Sequence, residues 1–275
     1  MILASLMLMQ AVYAPETEAV MKRPRAAEAS PPQSRAQVNA MALYLPAETA
    51  EKLQHCVDVA GDDPEKGVKI AQQWAREGGG FSADQCLGFA HARAERWVDA
   101  AMAFDSAAEG AHKAGAKPDA ARLWAQAGNA ALAGAMAAKA RDYFDKAIVT
   151  GLPDGLPLGE AYLDRARARV ALDDLPGARA DLDKALGSAP QDPLAWLLSA
   201  TLARRMDDLA RAATDIAEAK RRAPDDPSVA LEAGNIAVLS GAEGDARTEW
   251  MRVLTLAPSG EQAAAARDHL ARLEK

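Results

Sequence analysis

Few residues in this sequence are placed to do covalent or metal chemistry. The four histidines, His55, His91, His112 and His269, are far apart, and none has a ligand-like partner at helical spacing. A zinc site needs three or four such side chains brought together, so no metal is expected. No nucleophile elbow, Walker-type loop, H-E-x-x-H or dinucleotide fingerprint occurs. Gly78-Gly79-Gly80 could suggest a phosphate-binding loop, but it follows helix-forming rather than strand-forming sequence and reads as a helix stop. Carboxylates are plentiful, yet nothing singles out a pair for acid–base work. The chain is expected not to be an enzyme and to need no cofactor. Cys56 and Cys86 are the only cysteines. An even count in an exported chain favours a disulfide; two buried free thiols are the alternative.

The elements that would position these residues follow from composition. Of 275 residues, 49% are apolar, mainly Ala and Leu rather than the β-branched and aromatic residues that strands favour. Ala and Leu are the best helix formers, so an all-α fold is expected. The formal charge of −7 argues against nucleic acid, whose binding needs a basic patch to release counterions.

Met1 to Ala14 is almost wholly apolar but too short to span a bilayer. It suits the apolar part of a secretion signal, with Val12-Tyr13-Ala14 resembling a cleavage site, although no Lys or Arg precedes it and Pro15 follows the scissile bond. Residues 15–46 are rich in Pro, Ala, Ser, Glu and Gln and are expected to be a disordered spacer.

Beyond the spacer the chain repeats. Ala189-Pro190, Ala223-Pro224 and Ala257-Pro258 recur at intervals of 34 residues, the mark of stacked structural units. Asp192-Pro193 recurs as Asp226-Pro227, and the bulky Leu182, Ile216 and Trp250 keep the same step. Each Asp can cap a helix whose first residue is the following Pro. Pro190, Pro224 and Pro258 stop the second helix of each unit. Small residues (Ala200, Gly234, Ala212, Ala246) let paired helices approach, and Trp196, Ile216 and Trp250 are expected to fill the space between them. A last helix over 259–275, opened by a Ser259/Gln262 capping box, is expected to cover the end of the array.

These residues resemble the tetratricopeptide-repeat (TPR) pattern of W-x₂-L-G-x₂-Y followed by Ala, an aromatic, Ala and Pro. Trp196, Ala200, Ala212, Ile216, Ala219 and Pro224 fit one unit; Trp124, Gly128, Ala140, Phe144 and Ala147 fit another; Leu87, Gly88, Ala100, Phe104 and Ala107 a third. Gly115 to Pro118 and Leu152 to Leu158 would be lengthened connections. The resemblance implies a right-handed solenoid of antiparallel helix pairs: a degenerate unit over 47–80, about five repeats over 81–258, and the capping helix. The chain is similar to periplasmic TPR proteins of Gram-negative bacteria, which makes the periplasm the expected compartment and the cytoplasm the alternative.

In that family the first helix of each pair lines the concave face, where a partner protein or peptide lies. The resemblance places Asn129 and Asn235, each following a small motif residue, where an amide can grip a ligand backbone. Arg167, Thr201, Arg204 and Arg205 join them by position. In the same frame Cys56 and Cys86 fall on neighbouring first helices. A bridge closing a loop of about 30 residues would stabilise by roughly 3 to 4 kcal/mol. The expected function is a scaffold holding a partner segment in the cell envelope. The alternative is an intracellular oligomerising or regulatory adaptor.

Overall fold

In the computed structural model, Leu45 to Glu274 are the described residues; the apolar segment 1–14 and all of the spacer except Leu45 and Pro46 lie outside them. The described residues hold thirteen α-helices and no strand, so the all-α expectation stands. They are α1 (Ala47–Asp62), α2 (Pro64–Arg76), α3 (Gly80–Arg93), α4 (Trp97–Lys113), α5 (Lys117–Ala133), α6 (Ala137–Thr150), α7 (Leu156–Ala171), α8 (Leu175–Ser188), α9 (Pro193–Arg205), α10 (Leu209–Arg222), α11 (Pro227–Leu239), α12 (Glu243–Leu256) and α13 (Glu261–Leu273). They fall into two compact units divided within α8, residues 45–181 and 182–274.

In the first unit each helix from α1 to α7 packs on the next, and first helices also meet across pairs, α1 on α3 and α5 on α7. The apolar clusters that result include a small one of Ala60, Val68 and Ala90 and two larger ones. One of the larger gathers Leu53, Ala71, Trp74 and Ala83 around Cys56 and Cys86, which are both fully buried and disulfide-bonded at a Cα separation of 6.2 Å. The other is built on Phe104, Leu123, Trp124 and Phe144 among many alanines. The small residue of each pair makes room for a ring. A side chain on Gly88 would run into Phe104 at 2.7 Å, and one on Gly128 into Phe144 at the same distance. Gly67 lies hard against Ala60, a close approach of α1 and α2 that the motif did not reveal.

The second unit follows the same plan from α9 to α13. The Asp192 carboxylate accepts from the Leu194 N–H at 2.9 Å and that of Asp226 from the Ser228 N–H at 2.8 Å, with Pro opening both helices. Gly234 faces the indole of Trp250, which is 2% exposed. Trp196 departs from expectation. It is only half-buried, donates its indole N–H to the Pro190 carbonyl at 2.8 Å, and lies under the Arg222 guanidinium at 4.8 Å. It closes a loop rather than filling the core. The expected Ser259 cap is also absent: α13 starts after Gly260 with no side-chain cap, and His269 stacks on Trp250 at 4.8 Å.

A shared turn joins the paired helices. Glu95, Ala135, Asp173, Asp207 and Gly241 all have φ between 55° and 78°. The next residue's N–H bonds to the carbonyl five residues earlier, as from Met136 to Ala131 at 2.8 Å and from Asp208 to Ala203 at 2.9 Å. This is the Schellman closure of a helix end. Lengthened units absorb extra residues partly as helix: α4 and α5 each run 17 residues, so Lys117 and Pro118 lie in α5 rather than in a connection.

Candidate functional site

Asn129 stands on α5 with Arg122 and Gln126 at the i, i+4, i+7 spacing that lines up one helix face. The side-chain oxygens of Gln126 and Asn129 are buried without a hydrogen-bond partner, as is that of Gln85 on α3. Arg122 is anchored by the buried carboxylate of Asp119, which accepts from one guanidinium nitrogen; the other, Nη1, is buried and unpartnered. Burial pushes the Arg122 guanidinium below its ordinary value, and Asp119 only partly offsets this. Gln85, Arg122 and Gln126 were not singled out in the sequence. For Arg122 and Gln126 the signal was the helical spacing from Asn129, which becomes visible once α5 is known to start at Lys117; Gln85, on α3, left no such signal.

Several other polar groups of the first unit pair with one another, although Arg96 Nη2 and Arg169 Nε are also buried without a hydrogen-bond partner. Arg165 donates to both oxygens of Asp181, at 2.8 and 2.6 Å, and to Asp145 at 2.6 Å, while Arg169 approaches Asp181 at 3.3 Å. Burial would lower Arg165, but the two carboxylates prevail and hold it above its ordinary value. Arg167 is buried and pairs with Asp164 at 3.1 Å. The Trp124 indole N–H donates to Asp105 at 3.0 Å, and Lys146 donates to the same carboxylate at 3.1 Å.

In the second unit Arg204 and Glu232 form a two-point ion pair, at 2.7 and 3.1 Å, with both side chains almost wholly buried. Asn235 donates to Glu232 at 3.5 Å and accepts from the Trp250 indole at 3.2 Å. Thr201 is fully buried and donates to the Leu197 carbonyl at 2.9 Å. Arg205, next in the chain, is exposed. The structure thus joins Arg204 and Asn235 through Glu232, and keeps Asn129 and Arg167 in the other unit. His55 and His112 are exposed, His91 is half-buried and His269 buried. Among the described residues no three His, Cys, Asp or Glu side chains gather as metal ligands, and no helix is long and apolar enough to cross a membrane.

The sequence matches no family model and no curated protein. The structure does have solved neighbours. PilW, a widely conserved type IV pilus biogenesis factor, superposes with a TM-score of 0.64 at 20% identity, covering 79% of this chain and 97% of that one. YrrB, a TPR protein with an unusual peptide-binding site, gives 0.53 at 18% identity, covering 68% of this chain and 91% of that one. MamA gives 0.54 at 14%, covering 64% and 91%. This chain has the tetratricopeptide-repeat fold. In TPR terms Gly88, Gly128 and Gly234 are the small residues of first helices, and Phe104, Phe144 and Trp250 are the bulky residues of second helices that they admit. Asn129 and Asn235 each follow such a glycine.

Proposed function

We propose that this TPR chain is a protein-interaction scaffold of the cell envelope, holding a segment of a partner protein against its first helices. The observation that carries the reading is the set of unpartnered amide oxygens on two first helices, Gln126 and Asn129 on α5 and Gln85 on α3. A buried oxygen without a donor costs about 1–3 kcal/mol, and a fold keeps few of them. Gln85, Gln126 and Asn129 together present three, beside a guanidinium with an idle nitrogen. Rotation of these side chains toward a partner would bring its backbone N–H groups to the amide oxygens and a carbonyl to the Arg122 nitrogen. Asn129 is the best placed of the residues expected to bind. Arg204 and Asn235 are tied to Glu232, so their part is to hold α9 and α11 in register beneath a partner, with Arg205 at the surface. The peptide-binding site of the YrrB neighbour and the pilus-biogenesis role of PilW agree with a scaffold role.

The Cys56–Cys86 bridge supports the envelope, and the periplasm in particular, because structural disulfides persist in oxidising compartments. The test is co-purification from envelope extracts of the native host. Wild type should retain a partner that a Gln126→Ala/Asn129→Ala variant of unchanged melting temperature loses. Equal retention would reject the site. Recovery of the protein only in the cytosol with Met1 intact would reject the compartment.

A further inference from the structure

Three helices of the first unit, α1, α3 and α5, begin around one hollow of roughly 600 Å³, within the size range of ligand sites. Leu45, Phe81, Ala114 and Pro118 give it apolar walls. The residues preceding these helices, Pro46, Gly79 and Ala116, also border it, and none offers a side-chain acceptor to its helix. Asp192 and Asp226 do supply one to α9 and α11. The first-turn N–H groups of Thr49, Phe81 and Ser82 therefore meet no acceptor among the described residues. Open helix starts carry partial positive charge and ready donors, the setting in which anions bind.

A second observation concerns a side chain rather than the backbone of the helix starts. Ser82 is 2% exposed and lines the hollow, yet its hydroxyl makes no hydrogen bond among the described residues. The titratable group in the wall, Asp119, is ion-paired to Arg122, so it does not stand there as an isolated negative charge.

We propose that this hollow binds a carboxylate carried on an apolar body. The carboxylate takes the Ser82 hydroxyl and the open first-turn N–H groups, and the body rests on Phe81, Leu45 and Pro118. A medium-chain fatty acid and the C-terminal residue of a partner chain share this chemistry. The site is separate from the Gln126–Asn129 row and stands whether or not that row binds a partner.

Isothermal titration of the full, disulfide-intact chain with octanoate and with octanol tests the charge requirement. A peptide ending in a free Leu carboxylate and its C-terminal amide distinguish the sources. Octanoate, the peptide acid, or both should bind with one-to-one stoichiometry, and octanol and the peptide amide about tenfold more weakly. Ala116→Asp puts a further carboxylate in the wall of the hollow while offering α5 a cap; its charge should weaken the acid about tenfold while leaving the melting temperature unchanged or higher. Ser82→Ala should weaken it about threefold. Binding of octanoate alone identifies a small acid, and binding of the peptide acid identifies a chain terminus. Equal affinity for octanoate and octanol, unchanged binding in Ala116→Asp, or no saturable binding by either acid would overturn the proposal.

Discussion

Gly234 lies directly beneath the indole of Trp250, so close that any side chain at 234 would have to occupy the ring's space. The ring in turn donates its N–H to Asn235 and stacks on His269. One small residue thus lets α11 and α12 approach, and one large residue ties both to the final helix α13. Gly88 with Phe104 and Gly128 with Phe144 repeat the arrangement in the first unit.

The two tryptophans of the repeat frame should therefore behave differently. Trp250→Ala removes a buried ring and should cost about 3–5 kcal/mol in denaturant titration. Trp196→Ala removes one hydrogen bond and a half-exposed stacking contact and should cost about 1–2 kcal/mol. Equal losses would mean that Trp196 is core after all.

The turn between α5 and α6 holds Ala135 at φ 56°, a left-handed conformation that a Cβ disfavours by roughly 1–2 kcal/mol. Ala135→Gly relieves that strain at the cost of a more flexible unfolded chain. A net gain of about 0.5–1 kcal/mol is expected in urea unfolding; a loss would show the turn to be differently made.

The disulfide joins the first helices α1 and α3, and its sulfurs are fully buried. Free-thiol labelling of unfolded, unreduced protein should find none. Cys86→Ser should lower stability by roughly 2–4 kcal/mol, about as much as full reduction does. Two labelled thiols in freshly isolated protein would contradict the bridge.

His91 accepts at Nδ1 from Arg96 at 3.0 Å, which favours the neutral ring. Burial first, and then the Arg96 charge, place its pKa below the ordinary value of about 6.5. A group depressed in this way adds stability above its unfolded pKa and loses it as pH falls toward the folded one. Stability should therefore decline as pH drops below about 6.5, and His91→Gln should flatten that part of the curve. An unchanged slope in the variant would remove His91 as the cause.

How much of this was legible follows from what leaves a mark in the sequence. The prolines at 34-residue spacing, the Asp-Pro helix starts and the small-against-large pairs are fixed by backbone chemistry and volume, so residue type alone disclosed them. The helix-joining turns were hidden because Glu95, Ala135, Asp173 and Asp207 occupy a conformation that usually advertises itself through glycine. Trp196 misled because its register matches a core position, while its neighbour Arg222 draws it to the surface. Arg222, Arg252 and Arg267 each donate to the carbonyl of an inter-helix proline, at 190, 224 and 258, with bonds of 2.7–2.8 Å. These contacts span 9 to 32 residues and no local pattern announces them. The same is true of the site. Asn129 was named from the family resemblance, but the unpaired state of Gln85, Gln126 and Asn129 is a fact of packing.

The most direct test of the scaffold reading is site-specific photo-crosslinking in the native host. A photoreactive residue at Gln126 should yield a discrete adduct with one partner protein, and one at the highly exposed Val149, 86% accessible, should not. No adduct from Gln126, or the same adducts from both positions, would contradict a partner held against the first helices.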